Sequence, residues 1–300
     1  MGYSARYHAA SLAAVFLALA IGILIGVGLG DRVVNSARRD LEQSLKSDLA
    51  GSRARSDDLQ SQLNREHDFS AQVYPALVGN RLRGARVAVV ALGALPGEMK
   101  GDIESVVGSG SPTGAKLSEV AVLREPPDVH ALAGAVPGGD RKLQHDQARL
   151  LALARRAGRS LVTGGPLFDH LRDALLADAS GSPGGIDAVI VVRGRPSDLG
   201  SGQSAATDSL EAGLLEGIEG AGSLPVVGVE RSDSDPSQIG FYDSQGVSAT
   251  VDSVDLDSGR VALAYALAGS EGNYGIKASA DRLLPALRRP PPLTIGRSFR

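Results

Sequence analysis

The chain has 300 residues, of which 43% are hydrophobic and 22% are charged, so it carries enough apolar residues to build a folded core. Its 31 basic and 34 acidic residues give a formal net charge of −3, which provides no bulk attraction for nucleic acid. Cysteine is absent, and this excludes disulfides, thiolate nucleophiles and cysteine metal sites.

A short charged tail, residues 1–8, precedes an uncharged apolar stretch, residues 9–30. A helix over this stretch is about 33 Å long, enough to cross a hydrocarbon core of about 30 Å. The alternative is a cleaved signal peptide, whose apolar core usually spans about 7–15 residues and ends at an Ala-x-Ala site. The greater length and the missing cleavage site favour an uncleaved, single-pass membrane anchor.

Small residues recur every fourth position along this stretch. Such a stripe lets two membrane helices approach closely, so it predicts a self-association surface, in the simplest case a homodimer. The alternative is that alanine and glycine are merely frequent in this segment. The stripe consists of Ala10, Ala14, Ala18, Gly22, Gly26 and Gly30.

Residues 31–70 are predicted to form a polar, membrane-proximal helix with leucines at helical spacing. A coiled coil is one interpretation, and a solvated helix that packs only on its own domain is the other. The heptad pattern is imperfect, because polar residues fall at its core positions. In the register that places Leu45 and Leu59 at one core position, Ser52 and Glu66 share that position. The other core position then holds Asp48, Arg55 and Gln62.

Residues 81–287 are predicted to form an α/β domain, and residues 288–300 a flexible, basic, proline-rich tail. Short, continuous apolar runs indicate strands buried on both faces of a mostly parallel sheet. The predicted strands are 86–92, 117–122, 160–163, 188–192 and 225–229, and the predicted helices are 97–107, 141–157, 166–177 and 207–218. Alternating strands and helices indicate a doubly wound, flavodoxin-like or Rossmann-like sheet.

Motifs for nucleotide binding and nucleophilic catalysis are weak. The turn Thr163–Pro166 resembles a strand-to-helix anion site, but it lacks the lysine and serine of a phosphate-binding loop, which favours a plain connection. No Gly-x-Ser-x-Gly motif occurs in the sequence. We therefore expect no enzymatic activity.

Metal binding is weakly supported. The histidines lack the spacing of a metal-binding motif. His145 and His170 are nevertheless the candidate metal ligands, and no cofactor is certain. Carboxylates cluster at residues 230–235, directly after a predicted strand, where α/β proteins often bind ligands. A solvated acidic loop is the favoured interpretation over a cation site. Further carboxylates are Glu119, Glu125, Asp128, Asp252, Asp255 and Asp257.

Four segments carry a resemblance to a known family. Residues 8–26 read HAASLAAVFLALAIGILIG, and the later segments 251–255, 259–263 and 272–275 read VDSVD, GRVAL and GNYG. Together they resemble the actinobacterial, MctB-like copper transporter family. The positions that match the C-terminal signature, with no role assigned to them, are Asp252, Asp255, Gly259, Tyr274 and Gly275.

The resemblance implies an envelope protein that acts in copper efflux or homeostasis, with copper as its cargo and its α/β domain outside the cytoplasm. The weak excess of basic residues after the apolar stretch points the other way, to a cytoplasmic domain. Relatives also include partners in cell separation, so a non-catalytic structural role with an envelope protein partner is the alternative. A single helix cannot enclose an aqueous pore, and this favours an anchored interaction protein over a channel.

Overall fold

The computed structural model describes residues 5–287, with the side chains of that range except those of residues 5, 6, 28–37, 39 and 40. The chain divides into two compact units between Glu66 and His67. The predicted basic tail, residues 288–300, and the first four residues of the predicted N-terminal tail lie outside the described residues.

The described residues form eight α-helices and seven strands, with a 3₁₀ turn at Arg141–His145. The helices are α1 (Ala5–Val78), α2 (Gly97–Val107), α3 (Val129–Ala135), α4 (Gln147–Thr163), α5 (Pro166–Leu175), α6 (Ser201–Glu219), α7 (Ile239–Gln245) and α8 (Asp257–Leu267). The strands are β1 (Arg86–Gly93), β2 (Lys116–Leu123), β3 (Leu176–Gly181), β4 (Ala188–Gly194), β5 (Val226–Val229), β6 (Ala249–Val251) and β7 (Gly272–Tyr274).

The first unit contains the apolar segment expected at the N-terminus. Tyr7–Val27 has a mean hydropathy of 2.6 and is fully exposed, and it is the one helical segment among the described residues long and apolar enough to cross a membrane. The polar stretch that follows is also helical, as the spacing of its leucines predicted. Those leucines, Leu41, Leu45, Leu49, Leu59 and Leu63, are all more than half exposed.

The second unit is built on one seven-stranded sheet in the order β3-β2-β1-β4-β5-β6-β7. Every neighbouring pair is parallel except β2 and β3, which are antiparallel. The chain passes from β1 outward to β2 and β3 and then returns to β4 on the other side of β1. This reversal of direction is the flavodoxin-like arrangement, and it confirms the predicted fold class.

Both faces of the sheet are covered, because successive side chains of a strand point to opposite faces. In β1, Ala88, Val90 and Leu92 face a core that includes Phe168 of α5 and Leu214 of α6. The intervening side chains of β1 face a second core, formed with α2, α8 and the C-terminal end of α1. The continuous apolar run of β1 is therefore the sequence signature of this double burial.

Helices α4 and α6 pack closely through glycine. A Cβ atom added at Gly158 of α4 would overlap the Leu214 carbonyl, and one at Gly217 of α6 would overlap the Arg155 carbonyl. Only hydrogen fits at these crossings, so the glycines of this helix pair are required for packing.

Several predicted elements differ from the structure. Residues 160–163 are the last turn of α4 and not a strand, so the Thr163–Pro166 turn joins two helices. The predicted helix 141–157 is the 3₁₀ turn followed by the longer α4. The predicted helix 166–177 ends at Leu175, where β3 begins. The elements missed by the prediction are β3, β6, β7, α3, α7 and α8.

Candidate functional site at the carboxyl edge of the sheet

The loops that follow the parallel strands meet at one edge of the sheet. They carry Glu230 after β5 and Asp252 after β6, and both residues are almost completely buried. A buried carboxylate is costly unless it is paired or hydrogen-bonded, so its partners decide what this edge can do.

The carboxylate of Glu230 is fully engaged. It accepts hydrogen bonds from Ser237 Oγ at 2.8 Å, from the backbone of Gln238, and from Lys277 Nζ at 2.6 Å. Asp233 and Asp235 of the same predicted loop are exposed. The expectation of a solvated acidic loop therefore holds for these two residues but is wrong for Glu230, which holds the loop to the C-terminal segment.

Asp255 fixes the middle of the acidic loop. Its carboxylate accepts hydrogen bonds from the backbone N–H of Ser232 at 2.7 Å and from its hydroxyl at 2.6 Å. Burial opposes ionisation of Asp255, but the bonds from Ser232 and the charge of Arg231 outweigh it and lower the pKa of this carboxyl. Asp255 is thus a charged, engaged anchor of the loop at neutral pH.

Asp252 anchors the C-terminal segment in the same way. Its two oxygens accept hydrogen bonds from the backbone N–H groups of Ile276 and Lys277, each at 2.8 Å. Gly275 lies against this carboxylate with a φ of 140°, and a Cβ atom there would overlap it. Tyr274 is buried and donates its hydroxyl hydrogen to the Glu271 carbonyl.

Gly259, in the first turn of α8, lies against the Ser253 carbonyl, where a Cβ atom would not fit. The five signature positions are therefore gathered around β6, β7 and the start of α8. Each of them has a contact that shapes the backbone there. The partners of Asp252 and Asp255 lie 23 to 25 positions away along the chain, so the sequence could not assign those contacts.

A network of charged side chains joins the acidic loop to two further elements and was not anticipated from the sequence. Arg231 pairs with Asp102 of α2 and with Glu98 at 3.3 Å. Asp102 also pairs with Arg260 of α8 at 3.2 Å, and Arg260 reaches Asp257 at 3.4 Å. These pairs connect the acidic loop to the two helices that cover one face of the sheet.

A cavity of about 420 Å³ opens beyond the ends of β4 and β5. Both arginines that line the cavity form ion pairs with carboxylates of α6. Arg193 forms a two-pronged pair with the buried Glu211 at 2.8 and 2.9 Å and lies over the ring of Phe241. Arg195 pairs with Asp208 and donates to Ser204 Oγ at 2.6 Å. The cavity is lined by Met99, Val192, Arg193, Gly194, Arg195, Pro196, Ser197, Val229, Glu230, Ser234, Asp235, Pro236 and Gln238.

Glu125, in the loop after β2, does not line this cavity, but the charges of Arg193 and Arg195 act on its carboxyl group. Both of its carboxylate oxygens are buried, and neither has a hydrogen-bond partner in the described part of the chain. Burial raises the pKa of Glu125 to about 8, and the negative charge of Glu211 adds to this, while Arg193 and Arg195 oppose it. Sequence reasoning counted Glu125 only as one of several carboxylates.

Comparison with known proteins shows the family of the chain. Residues 3–285 match a family model described as "Copper transport outer membrane protein, MctB". The chain belongs to the MctB family. Relatives named "Copper transporter MctB" in Mycobacterium bovis and in Mycobacterium tuberculosis strain H37Rv are each 26% identical to it, over 91% of this chain and 96% of the relative. No solved structure matches the chain.

Membership in the MctB family confirms the resemblance seen in the sequence. The candidate copper ligands of this MctB family member, His145 and His170, are both exposed, and His170 contacts the Pro166 carbonyl of its own helix. Among the side chains that the structure describes, no group of three or more histidine, aspartate or glutamate residues is arranged to hold a metal ion. Direct copper ligation by these histidines stays a prediction.

The small-residue stripe lies on the exposed apolar segment. Ala10, Ala14, Ala18, Gly22 and Gly26 are exposed, whereas position 30 lies outside the residues with described side chains. Nothing lies within 4 Å of a Cβ atom placed at Gly22 or Gly26. The stripe is therefore open to lipid or to another helix.

Proposed function

We propose that the chain is an envelope protein, anchored by its N-terminal helix, that takes part in copper efflux with its α/β unit outside the cytoplasm. The observation that carries the proposal is the family match over residues 3–285. The exposed apolar segment Tyr7–Val27 supports the anchor. Its α/β unit acts by binding and not by catalysis in this proposal, since most of the charged groups at the carboxyl edge are held in pairs.

The copper role is tested by deletion and complementation. A deletion strain should accumulate copper and become hypersensitive over graded copper concentrations, and the full chain should restore both. A double variant, His145→Ala with His170→Ala, separates direct ligation from other roles, because both side chains are exposed and their loss leaves the core intact. Restoration by this variant would exclude these histidines as required ligands, and normal copper content in the deletion strain would contradict the proposal.

The placement of the α/β unit has a direct test, because the chain has no cysteine. Ser244, at the exposed surface of α7, is replaced by cysteine and treated with a membrane-impermeant maleimide in intact cells. Labelling without cell lysis is expected for an extracytoplasmic unit. Labelling that requires lysis would place the unit in the cytoplasm.

We also infer self-association through the polar half of α1, and a specific observation favours it. Leu45, Leu49, Leu59 and Leu63 are exposed by 52–63% among the described residues. If Leu45 and Leu49 are consecutive core residues, the core residues that follow are Ser52, Ser56, Leu59 and Leu63. Leucine then fills both core positions of two heptads, and serine fills both core positions of the heptad between them.

Charge supports a parallel arrangement of two copies. In this register Asp48 flanks the core on one side and Arg53 on the other, so Asp48 of one copy lies opposite Arg53 of the partner subunit. Two helices anchored in one membrane from the same end are also parallel. The envelope protein of the structural alternative would use the same exposed face in place of the second copy.

Serine residues provide a matched test of this register. Ser52→Cys and Ser56→Cys, at core positions, should form intermolecular disulfides under mild oxidation in membranes. Ser47→Cys and Ser61→Cys, on the opposite face, should not. Equal cross-linking at all four positions would reject the register, and no cross-linking at Ser52 and Ser56 would reject a parallel two-stranded coiled coil.

A further inference from the structure

The final part of α1, residues 67–78, belongs to the second unit and contacts α8 at both of its ends. At the C-terminal end, Val78 is fully buried in the core that α8 shares, and the Tyr265 hydroxyl of α8 donates to the Leu77 carbonyl at 3.4 Å. Arg81, just beyond the helix, lies over the Tyr265 ring. Apolar packing dominates at this end, and such packing carries no dependence on pH.

The other end of this segment is held by an ion pair. His67 Nδ1 lies 3.6 Å from Asp257 Oδ2, in the first turn of α8. The carboxylate is 13% exposed, whereas the imidazole is 73% exposed and so exchanges its proton freely with solvent. Ser70, between His67 and Tyr74 on the same side of the helix, is half-buried. Phe69, in the same turn, is 63% exposed, so apolar burial contributes little to docking at this end.

The groups around Asp257 favour its negative charge. It lies in the first turn of α8, where the helix dipole stabilises an anion, and Arg260 Nη1 lies 3.4 Å from its other oxygen. Arg260 is shared with Asp102 of α2, which also pairs with Arg231 of the acidic loop. On α1, burial raises the pKa of Tyr74 to about 12, so its hydroxyl stays neutral. Among these described groups, the histidine alone is of a type that changes charge between about pH 5 and pH 8.

We propose that His67 and Asp257 form a pH-sensitive latch that docks the first turn of this segment on α8. An imidazolium is attracted to the carboxylate and a neutral imidazole is not, so the latch is closed more often at pH 5 than at pH 8. Opening frees residues 67–70, while the burial of Val78 keeps the rest of the segment in place. Because one partner is largely exposed, the ratio of open to closed forms should change about two- to fivefold over this range. The latch depends neither on copper handling nor on self-association.

A single cysteine measures the opening directly, because the chain has none of its own. Ser70→Cys places a thiol beside the latch in the full chain, which is kept in detergent micelles without added metal. The rate at which this thiol reacts with 4,4′-dithiodipyridine is measured at pH 5, 6, 7 and 8. Division by the rate of glutathione at the same pH removes the titration of the thiol and of the reagent. The corrected rate should rise about two- to fivefold from pH 5 to pH 8.

Three further substitutions, each combined with Ser70→Cys, assign the effect. His67→Gln removes the titrating group, and Asp257→Asn keeps the histidine but removes the charge of its partner. Both should raise the corrected rate at pH 5 and make it independent of pH. Since the imidazole remains in Asp257→Asn, that variant also excludes a direct effect of the imidazole on the thiol. His145→Gln removes another exposed histidine, in the 3₁₀ turn, and should leave the pH dependence unchanged.

The test stays decisive if Asp257→Asn folds poorly, because the largely exposed His67 is replaced without loss of core packing. A corrected rate in Ser70→Cys that does not change between pH 5 and pH 8 would overturn the latch. So would a pH dependence that survives in His67→Gln, or one that survives in Asp257→Asn.

Discussion

The carboxylate of Asp252 occupies the space that a side chain at position 275 would need. Gly275 adopts a φ of 140°, and the next two N–H groups of the chain then donate to the two oxygens of Asp252. The pair joins the end of β6 to the segment after β7. This relationship gives a physical reason for finding aspartate and glycine at two separated positions of the C-terminal signature.

Gly275→Ala should therefore destabilise the second unit strongly, by about 3 kcal/mol or more, since strain and overlap with a buried carboxylate combine. Gly240→Ala is the matched control, because Gly240 lies on α7 with nothing within 4 Å of an added Cβ. This control should be neutral or stabilising by about 0.5–1 kcal/mol. Urea unfolding followed by circular dichroism measures both, and similar effects of the two substitutions would contradict the role given to Asp252.

Glu125 should make stability fall as pH rises. The folded state keeps this carboxyl protonated up to about pH 8 instead of its ordinary 4.5, so it binds more protons than the unfolded state between these values. Glu125→Gln removes this loss and should stabilise the protein more at pH 8 than at pH 5, by about 1–3 kcal/mol. Glu104→Gln, at an exposed helix position, is the control and should show little pH dependence. The same gain at both pH values would disprove the raised pKa of Glu125.

The pair of Arg193 with Glu211 should be far more important to stability than an exposed pair of the same chemistry. Arg193→Met leaves the buried Glu211 without its two-pronged partner, at a cost of about 3–5 kcal/mol. In the surface pair of Arg155 with Glu216, the two side chains are 55% and 44% exposed, respectively. Arg155→Met removes this pair and should cost about 0–1 kcal/mol. Free energies of unfolding for the two variants test the contrast, and comparable costs would refute it.

The small-residue stripe predicts a second contact between copies, inside the membrane. Gly22→Leu combined with Gly26→Leu should weaken self-association, because leucine separates the helices at a close crossing. Leu24→Phe adds bulk on the opposite face and should have little effect. Chemical cross-linking in membranes measures the dimer fraction. An unchanged fraction in the double glycine variant would remove the stripe as a contact surface.

The sequence predicts the positions of those strands that are long and buried on both faces of the sheet. Both β1 and β4 are continuous apolar runs, so composition alone located them. With three residues each, β6 and β7 are too short to show a period. The run at 160–163 is apolar because the end of α4 is buried, and a buried helix end and a short strand look alike at that length.

The candidate site was less readable, because its geometry depends on pairs distant in sequence. Glu230 looked like part of a solvated acidic loop, and only the approach of Lys277 explains its burial. Glu125 has no local signal at all. Its burial brings it near Gly93 of β1 and the charged side chains of α6, and these neighbours are distant in sequence.

The two borders of the sheet matter wherever copies of the protein meet at high concentration. One border is β3, which carries Asp178 and a final glycine, and the other is β7, three residues long and bridged at Tyr274 to Arg282. Short or charged outer strands offer little backbone for another chain to extend. Crowded copies can then meet through their helices without recruiting one another into a growing sheet, which is the usual beginning of aggregation.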